Sequence, residues 1–264
     1  MDLQLTGKTA LVSGSSLGIG FAIAESLARE GAHVWLNSRK QAALEQAIER
    51  IKRANPTAVL DGVAADLGTA DGVKKVTEKL SKVDILVNNV GIFEPKNFED
   101  IADEDWMKVF EVNVMSGIRL SRAYLPGMKA QNWGRIIFVS SESGIQIPKE
   151  MIHYGMTKTA QLSIARGIAE SVAGTKITVN SVLPGPTSSE GVQDFVDSLS
   201  AKTGQTKEAF EKEFFENVRP TSLIKRFATP DEVASLVTYV ASPLSAAITG
   251  SSLRVDGGVV KAMY

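Results

Sequence analysis

The chain contains no cysteine, which excludes disulfides, a thiolate nucleophile and cysteine-ligated zinc or iron–sulfur centres. Histidine is nearly as scarce: His33 and His153 stand far apart and make no ligand cluster, so no metal site is expected. An excess of one charge is missing too. Lys plus Arg number 29 against 30 Asp plus Glu, a net charge of -1, which argues against a surface built to grip nucleic acid or anionic lipid. No apolar run approaches the roughly 18 residues that cross a bilayer. The opening residues MDLQLTGK lack the basic and apolar regions of a secretory signal. The expectation is a soluble, cytoplasmic protein with neither nucleic acid nor membrane as partner. No repeat, low-complexity tract or Pro/Gly/Ser linker divides the 264 residues, so one domain, 1–264, is expected.

What is present is an alternation. Short apolar runs at 8–13, 32–38, 57–65, 83–88, 134–140, 176–183 and 251–256 predict seven strands. Most are apolar on successive residues, as strands covered on both faces are. Helical patterns fill 18–30, 41–54, 70–80, 103–126, 151–172 and 230–241, with Gly31 closing the first and Thr229-Pro230-Asp231-Glu232 opening the last. Such an order predicts an α/β fold: a parallel sheet with right-handed crossovers and helices on both faces. Residues 187–222 break the pattern with two polar helical stretches carrying Phe195, Phe210, Phe214 and Phe215. They read equally as a lid over a site or as a surface subdomain burying its own aromatics.

The first strand runs into Ser13-Gly14-Ser15-Ser16-Leu17-Gly18-Ile19-Gly20 and then a helix. Glycines at this junction let backbone N–H groups and the positive helix end approach a pyrophosphate. Tight turns need glycine for steric reasons alone, but the strand-to-helix context favours the dinucleotide. No Gly-Lys-Ser/Thr follows, which excludes a P-loop. An NAD site carries a carboxylate about 20 residues after the glycines, to hold the ribose 2′-hydroxyl. Here that place holds Ser38-Arg39-Lys40 and no acid. A hydroxyl beside a guanidinium suits a 2′-phosphate, so NADP(H) is preferred over NAD(H). An ordinary exposed arginine at a strand end is the alternative.

Tyr154 and Lys158 stand at i and i+4 on one helix face. A cation near a phenol favours phenolate and moves its pKa towards neutrality, giving an acid–base pair for a carbonyl or alcohol.

With these two motifs, Asp66-Leu67, Asn88-Asn89-Val90-Gly91, Asn113, Ser141, Pro184-Gly185 and Val255-Asp256-Gly257-Gly258 complete an ordered set over essentially the whole chain. The set resembles the short-chain dehydrogenase/reductase family, in its 3-oxoacyl-acyl-carrier-protein-reductase-like branch. The resemblance implies a Rossmann-type, doubly wound sheet and the catalytic group Asn113, Ser141, Tyr154 and Lys158. Tyr154 would exchange a proton with the substrate oxygen, held by Ser141; the 13-residue spacing favours Ser141 over its neighbours Ser140 and Ser143. Lys158 would lower the tyrosine pKa and bind the nicotinamide ribose, and Asn113 would hold a water linking Lys158 to solvent. Cofactor contacts would come from Gly14, Ser16, Gly18, Ile19, Gly20, Ser38, Arg39, Asp66, Leu67, Asn89, Gly91, Tyr154, Lys158, Pro184, Gly185 and Thr187. Substrate contacts are expected from Glu142, Met151 and His153, although a lone carboxylate such as Glu142 more often pairs structurally.

Ser13 and Val90 are mild departures from the family's Thr and Ala. A larger one concerns the two arginines with which carrier-protein reductases dock an acidic carrier. Their places hold Asn132 and Thr175, which removes the steering for an acyl carrier protein. The expected activity is NADP(H)-dependent reduction of a small ketone or ketoacyl carbonyl. The alternatives are an NAD-linked alcohol dehydrogenase and a non-catalytic dinucleotide sensor. The resemblance further implies a homotetramer built through helices 103–126 and 151–172.

Overall fold

In the computed structural model, residues 1–190 and 206–263 are described. Seven strands form one parallel sheet: β1 (Thr9–Val12), β2 (His33–Ser38), β3 (Leu60–Ala64), β4 (Ile85–Asn88), β5 (Gly134–Val139), β6 (Ile177–Pro184) and β7 (Ser252–Val255). Their order is β3-β2-β1-β4-β5-β6-β7, with every neighbouring pair parallel. This is the parallel sheet that the alternation predicts, in the Rossmann-type arrangement that the resemblance implies.

The successive apolar residues of the strands are explained by two separate cores. Ala10 and Val12 of β1 face a layer with α1 (Gly18–Arg29), α2 (Gln41–Ala54) and a C-terminal helix over Pro230–Ala241. Leu11 faces the opposite layer, with Val73 and Val76 of α3 (Ala70–Lys79) and the buried Leu120, Tyr124 and Met128. Strand side chains alternate faces, so a sheet covered on both sides needs apolar residues at every position. The C-terminal helix opens with a full capping box: Thr229 accepts from the Glu232 N–H, and Glu232 accepts from that of Thr229.

The helix expected over 103–126 is longer and irregular. It comprises α4 (Asp103–Phe110), a π turn over Glu111–Met115 and α5 (Ser116–Ala130). It continues beyond Pro126, with Tyr124 and Met128 buried on the sheet. The next helix, α6, spans Ile152–Ser171 after a single 3₁₀ turn at Lys149–Met151.

Strand order reverses between β1 and β4, which opens a crevice at the carboxyl ends of the strands where such folds bind ligands. The long excursion after β6 returns over this end. Its described part contains α7 (Lys207–Glu213) and a π turn at Phe214–Val218, followed by α8, the capped helix Pro230–Ala241. Phe214, Phe215 and Phe227 pack ring on ring at 5.1 Å. Phe195 and the first of the two polar stretches lie in 191–205, outside the described residues.

Candidate active site

The glycine turn is built from both strands that flank the crevice. Gly14 and Gly18 both have φ of 61°, a left-handed conformation that favours glycine. A Cβ on Gly20 would collide with the Gly14 carbonyl and the Asn89 amide. Asn89 donates to the carbonyls of Ser13 and Gly14, each at 3.0 Å, so its side chain braces the turn. Ser13 Oγ accepts from the N–H groups of Asn89 (2.8 Å) and Val90 (3.1 Å), tying β1 to β4. From β2, Asn37 Oδ1 accepts from Gly14 N–H. The sequence reading missed Asn37, whose partner is 23 residues away.

A cavity of about 530 Å³ extends from this end, with Arg39, Asp66, Gly68 and Thr69 in its wall. Among the described residues Arg39 has no ion-pair partner. Ser38 is buried at the end of β2, and Leu67 is buried beside Asp66. Asp66 Oδ1 accepts from Gly68 N–H at 3.0 Å. The glycine cradle and the cavity beside it fit a nicotinamide dinucleotide.

One contact at this turn has no precursor in the sequence reading. Glu190, at the start of the long excursion, accepts from Gly18 N–H at 2.6 Å and lies 3.8 Å from Arg50. It places a carboxylate on the first turn of α1, where the helix dipole favours negative charge.

A second cavity, of about 450 Å³, joins Ile19 of the glycine turn to Ser141, Tyr154, Pro184, Gly185 and Thr187. Thr187 Oγ1 donates to the Gly185 carbonyl at 2.9 Å, shaping the loop after β6. Ser140 and Ser141 both line this cavity; Ser140 Oγ donates to the Lys158 carbonyl, whereas the Ser141 side chain hydrogen-bonds the Tyr154 hydroxyl. Lys158 is buried, 5.5 Å from the centre of the Tyr154 ring, and donates to the Val139 carbonyl at 3.0 Å. A Cβ on Gly91 would come within 3.4 Å of Lys158 Nζ.

Two expectations change here. Loss of solvent pushes the Tyr154 phenol up to about 12, with the Ser141 hydrogen bond opposing, rather than down towards neutrality. Burial likewise pulls Lys158 down to about 7, so each group is pushed towards its neutral form. Second, the Asn113 side chain is held by three hydrogen bonds within the protein. Its Oδ1 accepts from Ile92 N–H at 2.7 Å, and its Nδ2 donates to Ile92 O and Thr157 Oγ1. The link towards Lys158 runs through Gln161, which sequence reasoning missed. Gln161 Nε2 donates to the Asn113 carbonyl at 2.6 Å, and its Oε1 accepts from Lys158 Nζ at 3.4 Å. The π turn supplies that carbonyl, a local irregularity often found at functional sites.

Of the expected substrate residues, Met151 lines the second cavity. His153 does not: it is buried against Trp106 and lines the first cavity, because its position on α6 turns it towards α4. Glu142 lines the second cavity but is held in a buried ion pair with Arg219 at 2.9 Å. Among the described residues no cluster of metal-ligating side chains occurs. No described helix is long and apolar enough to cross a membrane.

Comparison with known proteins agrees with this geometry. A family model described as Enoyl-(Acyl carrier protein) reductase matches residues 14–260. The chain is 49% identical over 264 residues, and the whole of both chains, to the uncharacterized oxidoreductase YvaG of Bacillus subtilis. It is 34% identical to the 3-oxoacyl-[acyl-carrier-protein] reductase FabG of Vibrio cholerae, covering 97% of this chain and 99% of that one. Among solved structures, the L-sorbose reductase of Gluconobacter frateurii, complexed with NADPH and L-sorbose, superimposes with a TM-score of 0.94 at 33% identity over 100% of both chains. The chain belongs to the short-chain dehydrogenase/reductase family. It is an NAD(P)-dependent oxidoreductase acting on CH–OH groups and carbonyls.

Proposed function

We propose that the chain is an NADP(H)-dependent reductase that converts a small ketone or ketoacyl carbonyl to a secondary alcohol, reversibly. The observation that carries this reading is the grouping of Ser141, Tyr154 and buried Lys158 at one cavity, which shares Ile19 and Gly185 with the cofactor cradle. Bound NADPH supplies the hydride that reaches the carbonyl carbon. Tyr154 gives its proton to the carbonyl oxygen, and Ser141 donates to the same oxygen as negative charge develops there. A phenol held protonated is the form that a proton donor requires. Gln161 and Asn113 hold Lys158 in place beneath the phenol.

On this reading the glycine turn with Ser16 carries the pyrophosphate, Ser38 and Arg39 hold the 2′-phosphate, and Asp66 and Leu67 border the adenine. Gly91, Pro184, Gly185 and Thr187 surround the nicotinamide end. The L-sorbose reductase solved with NADPH supports both the cofactor and the reductive direction. The segment 187–222 acts as a lid, its described part contributing Phe210 and Phe214 to the cavity wall. An acyl carrier protein is disfavoured: Asn132 and Thr175 replace the docking charges, and Asn132 Oδ1 is used by Lys176 N–H. The reading includes a cytoplasmic homotetramer assembled through α4–α5 and α6.

Side-by-side fluorescence titration with NADPH and NADH tests the proposal. NADPH is expected to bind at least about tenfold tighter, or about 1.4 kcal/mol, and Arg39→Ala to remove that difference selectively. Equal or tighter NADH binding would replace this reading with an NAD-linked alcohol dehydrogenase.

A further inference from the structure

Two large apolar side chains lie open in the wall of the second cavity. Phe93, from the loop after β4, is 50% exposed, and Val218, from the π turn of the excursion, is 44% exposed. Phe93 meets the Tyr154 ring edge to face with centroids 6.0 Å apart, so the apolar surface begins at Tyr154 itself. Phe210 and Phe214 of the excursion continue it, their rings stacked at 6.3 Å, and Met151 joins from the turn just before α6. Side chains from three separate parts of the chain thus converge on one apolar surface beside the Ser141–Tyr154 pair. Such a surface gains when a ligand removes it from water.

The polar side chains of the same wall are mostly bound within the protein. Ser140 Oγ donates to the Lys158 carbonyl, and Thr187 Oγ1 donates to the Gly185 carbonyl. In one corner Arg219 donates to Glu142 at 2.9 Å and to Glu150 at 3.2 Å, and Ser143 lies against Glu142. Ser189 stands at the cofactor end, against Gly18. Ser141 and Tyr154 remain, and a single carbonyl oxygen uses both. A ketone bearing several hydroxyls would bring them to a wall with few partners to offer, at a cost for each one left unpaired. An alkyl or aryl group needs no partner.

We propose that the substrate is a ketone with an apolar arm, aryl or alkyl, that packs on Phe93, Phe210, Phe214 and Val218, and that polyhydroxy ketones are poor substrates. This rests on the reductase reading above and names the substrate class of that site.

Three ketones with the carbonyl at the second carbon provide the test: 4-phenyl-2-butanone, 2-butanone and L-sorbose, with NADPH oxidation followed by absorbance. The phenyl ketone is expected to have a kcat/KM at least about tenfold above 2-butanone, as burial of a phenyl group dictates, with L-sorbose the poorest. Phe93→Ala is expected to cut the ratio of phenyl ketone to 2-butanone by about 3- to 10-fold. Because Phe93 touches Tyr154, Phe210→Ala serves as the second variant: Phe210 makes no ring contact with Tyr154 and does not line the first cavity. It is expected to lower the ratio in the same direction while leaving the NADPH dissociation constant unchanged. A ratio of two substrates is insensitive to loss of active protein. Equal kcat/KM for the two methyl ketones, preference for L-sorbose, or an unchanged ratio in both variants would overturn the apolar arm and leave the reductase standing. Failure to reduce any of the three while NADPH binds would overturn both.

Discussion

Lys158 shows how the catalytic role proposed for one residue comes with a cost in stability. Its pKa near 7 in the folded chain, against 10.5 for an ordinary lysine, arises from burial. The unfolded chain therefore binds this proton more readily than the folded one across pH 7 to 10.5, and the lysine destabilises the fold increasingly as pH falls through that window. Below about 7 the penalty is complete and constant. Lys158→Met removes it, at the cost of the bond to the Val139 carbonyl. The difference in Tm between variant and parent is expected to move in the variant's favour from pH 10.5 down to pH 7 and then level, while reductase activity is lost. A pH-independent difference in thermal melts would contradict this. Of the residues legible in the sequence, Tyr154 and Lys158 are a pair whose spacing states their geometry on one helix face, and Ser141 follows β5 at a fixed interval before them. Gln161 and Arg219 were not legible. Their partners are 48 and 77 residues away, and no local spacing encodes such a pairing.

At the scale of elements, the first turn of α1 is the place where sequence and structure differ most usefully. The glycines announce a strand-to-helix turn that fits a pyrophosphate, but not the Glu190 carboxylate bonded to Gly18 N–H. Its charge beside a bound pyrophosphate is repulsive, and a like-charge interaction near the surface amounts to about 1 kcal/mol or more. Glu190→Gln is accordingly expected to tighten NADPH binding by ~3- to 10-fold, an effect that shrinks at high salt. Unchanged or weaker affinity in the fluorescence titration would show that Glu190 bears no load on the cofactor. The helix from Asp103 to Ala130 makes a related point. Its apolar pattern predicts a helix, but the π turn at Glu111–Met115 leaves no mark in that pattern. It arises where Asn113 is held by Ile92, Thr157 and Gln161 from separate elements.

At the scale of the whole molecule, the proposed tetramer has a surface to build on. Phe98 and Met107 are 61% and 59% exposed beside α4, the first of the helices through which assembly is proposed. Association would remove such apolar area from water. Light scattering on the purified chain is expected to give the mass of four chains, and a monomer at micromolar concentration would contradict the assembly. The two cavities also divide the work across the molecule. The first lies at the ends of β2 and β3 and along α4, the second at the ends of β5 and β6 and along the excursion, and Phe93 lines both.

The sequence by itself determined the alternation of strands and helices, the parallel sheet and the catalytic spacing. Each of these is a local or periodic property: apolar residues in succession, glycines at a junction, hydroxyl and amine one helical turn apart. Tertiary structure alone decided the charge of the substrate corner, the turn of His153 away from the cavity and the route from Lys158 through Gln161 to Asn113. It also set the pKa values, because burial is a property of all the elements packed around a group. Tyr154 and Lys158 can be read from four residues of sequence, but only the folded chain surrounds them with so little water that their protons are held this way.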